Sequence, residues 1–182
     1  ASISPNGQYA ALASGPYRIS IVDLASRKAR PDIVLKSKIS HLSISADSRL
    51  LCLGTGDWND PITYAEVFDL ETAKPVGRRV WHHGRVTRVL VSEGGAKMVS
   101  LSRDGFAKVQ FRTGQQSYVG FDLIHQTPVV DAVWLATNRL ATAAQDGVLG
   151  IFSLHQRQDV TSSYSPIKEG GPEARSPFDY PL

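Results

Sequence analysis

Ser92-Glu93-Gly94-Gly95-Ala96-Lys97-Met98-Val99-Ser100-Leu101-Ser102-Arg103-Asp104-Gly105-Phe106-Ala107-Lys108-Val109-Gln110-Phe111 sets two turn signals around a β-prone run and follows them with a second one. Ala107, Val109 and Phe111 alternate with Lys108 and Gln110, which puts apolar and polar groups on opposite faces of a pleated strand. The same arrangement recurs along the chain. Turn signals of this kind open at Ser4 (Ser4-Pro5-Asn6-Gly7), Ser45 (Ser45-Ala46-Asp47-Ser48), Ser92 and, in weaker form, Leu135 (Leu135-Ala136-Thr137-Asn138), so their first residues are 41, 47 and 43 apart. Ser14, Thr55 and Ser102 follow the first three anchors by 10 residues, and Ile21, Val109 and Ile151 lie in the β-alternating runs beyond. The second unit reaches its equivalent residue, Val67, five residues late, which assigns an insertion to the turn-rich stretch from Gly56 to Thr63.

Each unit therefore reads as four short strands: strand, polar turn, strand, tight Gly/Asp turn, strand, and a last β-prone segment. Those last segments are Ile33 to Leu35, Val76 to Trp81, Tyr118 to Ile124 and Val160 to Tyr164. No long stretch carries apolar residues at helical spacing, so the expected class is all-β. Four-stranded units at a period near 43 residues match the blades of a β-propeller, here at approximately residues 1–36, 37–81, 82–124 and 125–165, with a Pro/Gly-rich extended tail at 166–182. Four blades leave apolar sheet faces at both ends, so the expectation is an open arc completed by further blades or by another chain.

Composition narrows the function classes. Of 182 residues, 42% are hydrophobic and 20% charged, the usage of an ordinary packed soluble domain. No apolar run approaches the roughly 20 residues that cross a bilayer, and the first residues lack a secretory leader, so a soluble, cytoplasmic chain is expected. The chain begins at Ala1 inside a β-prone run, as an excised piece of a longer polypeptide would. A single cysteine, Cys52, excludes an intramolecular disulfide and any multi-cysteine zinc site, and its Leu51 and Leu53 neighbours mark it as buried. The net charge of +3 comes from scattered residues instead of blocks, and aromatic and basic residues are not interleaved as single-strand binders require, so nucleic acid is not the expected partner.

Several of these residues resemble the WD-repeat family. Ser4-Pro5-Asn6-Gly7 is similar to the family's serine-proline-aspartate-glycine turn, and Ser102-Arg103-Asp104-Gly105 to its serine-x-aspartate-glycine turn. Val67-Phe68-Asp69-Leu70-Glu71-Thr72-Ala73-Lys74 resembles the third-strand signature, with Phe68 where the family has tryptophan. At the signature dipeptide stand Val22-Asp23, Phe68-Asp69, Gln110-Phe111 and Phe152-Ser153, so the indole is absent throughout. Pro75 to Val86 is similar to inter-repeat linkers in bacterial WD-repeat regions of signalling proteins. The resemblance covers about residues 1–155. It implies a hydrogen-bonded structural tetrad, for which only the third unit offers much, through His83, Ser100 and Asp104 with Gln110 replacing the tryptophan.

No catalytic grouping and no cofactor motif is evident, and the adjacent His82-His83 pair has no acidic or cysteine companion at metal spacing. The chain reads as a non-enzymatic interaction or regulatory scaffold whose loops carry the function. Turns between second and third strands and links between units should emerge on one face, which collects Tyr17, Arg18, Trp58, Trp81, His82, Arg85 and Arg103 as expected partner-binding residues. Such a basic, aromatic rim suits an acidic protein or peptide. The alternative is a small-ligand-sensing or hydrolytic propeller with its site at the central channel. Against it, the inner segments Leu42 to Ile44, Val89 to Val91 and Val133 to Leu135 are mostly apolar.

Overall fold

A computed structural model describes residues 1–154 apart from 58, 61, 93–94, 114–116 and 137. The expected strand at Val160 to Tyr164, the tail and Trp58 lie outside the described residues. The secondary structure of the described residues is sixteen strands, and no α-helix occurs among them.

The strands form consecutive antiparallel sheets, each built from neighbours in sequence. The first contains β1 (Ser2–Ile3), β2 (Tyr9–Ala13) and β3 (Arg18–Asp23), with a split outer strand, β4 (Lys28–Ala29) and β5 (Ile33–Val34), whose two parts both pair with β3. The second is β6 (Ile39–Ile44), β7 (Leu50–Thr55), β8 (Thr63–Asp69) and β9 (Val80–His82). The third is β10 (Val86–Val91), β11 (Lys97–Ser102), β12 (Phe106–Thr113) and β13 (Ser117–Ile124). Among the described residues the fourth has three strands, β14 (Val129–Ala136), β15 (Arg139–Ala144) and β16 (Leu149–Ser153). The insertion of the second unit lies, as its spacing requires, in the loop between β7 and β8.

The serine anchors have a local physical cause. Ser4 Oγ accepts from the Tyr9 amide at 2.7 Å, Ser45 Oγ from Leu50 at 3.0 Å and Ser92 Oγ from Lys97 at 3.0 Å, so one hydroxyl closes the same hairpin in three sheets. The residue three beyond each anchor turns the chain through positive φ: Gly7 at 70°, Ser48 at 61° and Gly95 at 71°. Two of the three are glycine, which adopts that conformation without a Cβ clash.

Packing runs from sheet to sheet. Ala11, Ile19 and Ile21 of the first sheet meet Leu51, Leu53, Tyr64 and Phe68 of the second. Cys52, Ala65 and Val67, on the second sheet's other face, meet Val86, Val89 and Met98 of the third. Val99, Leu101 and Val109 then meet Leu140 and Phe152 of the fourth. Each fully buried aliphatic side chain contributes about 1.5–3 kcal/mol, so these interfaces hold the arc together. The first strands β1, β6, β10 and β14 lie side by side and form its inner rim.

Candidate functional site

Backbone hydrogen bonds gather the loops at one end of the sheets. The Leu35 amide donates to Tyr17 O and the Ile39 amide to Pro16 O, both at 2.8 Å, and Gly56 N donates to Lys38 O at 2.8 Å. The same join recurs from Arg103 N to Arg85 O at 3.1 Å, from His125 N to Gly105 O at 3.0 Å and from Gln145 N to Pro128 O at 2.9 Å. On this face Tyr17, Arg18 and Arg103 are exposed and Arg85 is half-buried. Arg18 is paired with Asp32 at 3.0 Å, and Lys38 with Asp57, which reduces the basic character of the rim. Trp81 is 57% exposed and sits edge-on to Tyr64 at 5.5 Å, while the Arg79 guanidinium lies 4.4 Å over the same Tyr64 ring.

His82 differs from expectation. Its side chain is fully buried, with Nδ1 3.1 Å from Asp104 Oδ2 and Nε2 2.8 Å from Ser100 Oγ. It cannot touch a partner, and it takes the structural place assigned to His83, which contributes only its amide to Asp104 at 2.9 Å. Strand alternation is the reason: along β9, Val80 and His82 turn inward and Trp81 outward. Burial raises the Asp104 pKa, but the hydrogen bonds from His82 and from the Phe106 and His83 amides outweigh it and hold the carboxyl at about 2. A second, looser version stands in the fourth sheet, where His125 Nε2 is 3.4 Å from Thr142 Oγ1 and its ring meets Phe152 edge-on at 6.0 Å. The staple is therefore not confined to the third unit. In the second sheet the matching positions are Leu35 and Leu53, both in the apolar core.

The inner rim carries polar residues that the apolar inner segments concealed. Each of β6, β10 and β14 is interrupted by a register shift at the same place, between Ile39 and His41, Val86 and Arg88, and Val129 and Asp131. A bulge of this kind redirects the side chains beside it. The bulged hydroxyls also bridge sheets, since Ser40 Oγ donates to Val86 O at 2.6 Å and Thr87 Oγ1 lies 3.5 Å from Val129 O. His41, Arg88 and Asp131 thus form a row across three inner strands, near their loop-face ends.

The row is electrically coupled. Arg88 Nη1 pairs with Asp131 Oδ1, while Arg88 Nε is buried with no hydrogen-bond partner among the described residues. Burial, and then the Arg88 charge, push the His41 pKa down to about 4 against the opposing pull of Asp131. His41 is therefore neutral at neutral pH. Its Nδ1 accepts from the Val89 amide at 3.3 Å, which leaves the proton on Nε2 as a donor. Each of the three residues lies four positions ahead of an anchor, Ser45, Ser92 or Leu135, and that spacing is the signal by which sequence could have found them. No group of three or more potential metal ligands occurs among the described residues, and no helix there is long and apolar enough to cross a membrane.

No family model matches the sequence, and no curated protein does. Solved structures match it in number, 837 chains in all, too many for a match to specify one function. One of them, described as "Dihydro-heme d1 dehydrogenase NirN in complex with DHE", superposes with a TM-score of 0.64 at 16% identity, covering 84% of this chain. The fold is an arc of a β-propeller. This chain spans only 33% of that neighbour's length, so the likeness concerns propeller blades and not a whole enzyme. It does correct one expectation. A propeller of this fold is by its description a dehydrogenase, so the expected non-enzymatic character does not stand.

Proposed function

We propose that this propeller arc binds a small ligand bearing an acceptor oxygen, such as a carboxylate, at the inner rim formed by His41, Arg88 and Asp131. The row itself carries the reading. It combines a neutral imidazole whose Nε2 carries the proton, a guanidinium whose Nε lacks a partner among the described residues, and a carboxylate paired with that guanidinium. A ligand oxygen accepting from His41 Nε2 and Arg88 would satisfy both donors in a partly desolvated place, where charge-assisted hydrogen bonds are strongest. The neighbouring propeller described in complex with DHE supports the idea that this fold can hold a bound group. The test is calorimetric titration with acetate, succinate and inorganic phosphate, with acetamide as the neutral control. Saturable binding of an anion, lost in Arg88→Gln and strengthened in Asp131→Asn, is expected. Absence of binding by every anion, or binding indifferent to both substitutions, overturns the proposal.

Trp81, held edge-on against Tyr64 yet mostly exposed, favours a second reading in which Tyr17, Arg18, Trp81, Arg85 and Arg103 take an acidic protein segment. Binding of a poly-glutamate peptide that weakens in Trp81→Ala and with added salt would support it, and no binding at low salt would end it. Membership of the WD-repeat family and a cytoplasmic role in signalling belong to the same proposal. The His82, Ser100 and Asp104 geometry supports the family, although Gln110 stands where its tryptophan would be.

A further inference from the structure

The outer strand of the second sheet combines features that the other described outer strands lack. In the first sheet that place is split between β4 and β5, with Pro31 in the break, and such an interruption protects an edge from pairing. In the third it is β13, which carries Asp122 and neither Lys nor Arg. β9 is unbroken and ends its sheet on the side away from β6 and the inner rim, and no strand pairs with its outer edge among the described residues. The first and third sheets flank it, so this edge does not depend on what adjoins the ends of the arc. From Gly77 to Arg85 the chain reads Gly-Arg-Arg-Val-Trp-His-His-Gly-Arg, basic throughout and without an acidic residue. Arg79 pairs with the buried Glu66 at 3.0 Å, whereas Arg78 and Arg85 make no ion pair among the described residues. The strand itself is firmly seated. Val80 packs in the core between the second and third sheets, His82 bonds to Ser100 and Asp104, and Thr63 Oγ1 donates to His82 O at 2.6 Å. Trp81 and Arg79 lie on the other face, both against the Tyr64 ring, and Trp81 stays mostly exposed.

We infer that an acidic peptide segment in extended conformation pairs with the outer edge of β9 and continues the second sheet by one strand. The inference rests on the acidic-segment reading above and adds the place and the conformation of the bound segment. Main-chain hydrogen bonds along the edge supply affinity, and alternate side chains supply selectivity. On the added strand, the residue beside Trp81 and the residue two positions away, beside Arg79, share one face. The segment that fits therefore carries a large apolar side chain at the first place and a carboxylate at the second. Arg78 and Arg85 add positive charge at the two ends of the edge, which favours an acidic chain over a neutral or basic one. An edge already fixed by Val80 and His82 has little ordering left to lose on binding.

Calorimetric titration with the capped peptide Thr-Glu-Thr-Phe-Thr-Glu-Thr at low salt tests the inference. It is compared with two versions N-methylated on alternate residues, one at the threonines and the other at the glutamates and phenylalanine. A strand directs every second amide at its neighbour, so one methylated version is expected to lose about tenfold or more in affinity while the other binds as the parent does. Trp81→Ala should weaken the parent, and Thr-Lys-Thr-Phe-Thr-Lys-Thr should not bind. If the parent and both methylated versions bind alike, side chains alone hold the segment, which overturns the strand pairing and leaves the acidic-segment reading standing. If no acidic peptide binds, both fall. Equal binding of an oligothymidylate marks a merely cationic surface and also overturns the inference.

Discussion

His82 Nδ1 stands 3.1 Å from Asp104 Oδ2 although 22 positions separate the two residues, and this pair ties the outer strand of the second sheet to the β11–β12 turn of the third. Asp104 also accepts from the His83 and Phe106 amides at 2.9 and 3.0 Å. Asp104→Ala strands the His82 nitrogen and two amides together, so a loss of about 3 kcal/mol is expected. Urea denaturation measures it, and a loss below about 1 kcal/mol would show that water replaces the carboxylate.

Acid should weaken the protein through His41. Its folded pKa of about 4 lies below the ordinary value of 6.5, so the unfolded chain takes up a proton that the folded chain refuses. Stability contributed by this group is whole above pH 6.5 and falls as the pH drops toward 4. In His41→Asn the decline of Tm over that window should flatten, and an unchanged profile would remove His41 as its source.

Gln110 lies at the place held by Phe68 in the second sheet and Phe152 in the fourth, and its Oε1 is buried with no hydrogen-bond partner among the described residues. Gln110→Phe removes that desolvated oxygen and restores the aromatic position. A gain of about 1 kcal/mol in denaturant titration is expected. Destabilisation instead would mean that the space beside Gln110 is too small for a ring.

Cys52 is fully buried, and burial pushes its thiol up to about 12. The native protein should resist a water-soluble aromatic disulfide, and the thiol should react fully once urea unfolds the chain. Fast modification of the native state would show that the interface between the second and third sheets opens readily.

Much of the architecture was legible because its causes are local. A serine hydroxyl capping its own hairpin and a glycine turning through positive φ act within five residues, and alternation along β12 needs no knowledge of its neighbours. The candidate site was less legible. His41 and Arg88 stand immediately before the apolar segments Leu42 to Ile44 and Val89 to Val91, and their side chains are re-aimed by bulges that no composition announces.

By itself the sequence determined the all-β class, the period of the units, the place of the insertion and the buried state of Cys52, since turn chemistry and strand periodicity are properties of short stretches of chain. Tertiary structure decided which of two adjacent histidines faces inward and which charges become neighbours. Residues such as His41, Arg88 and Asp131 are separated by 47 and 43 positions, so only the stacking of one sheet on the next brings their charges within reach.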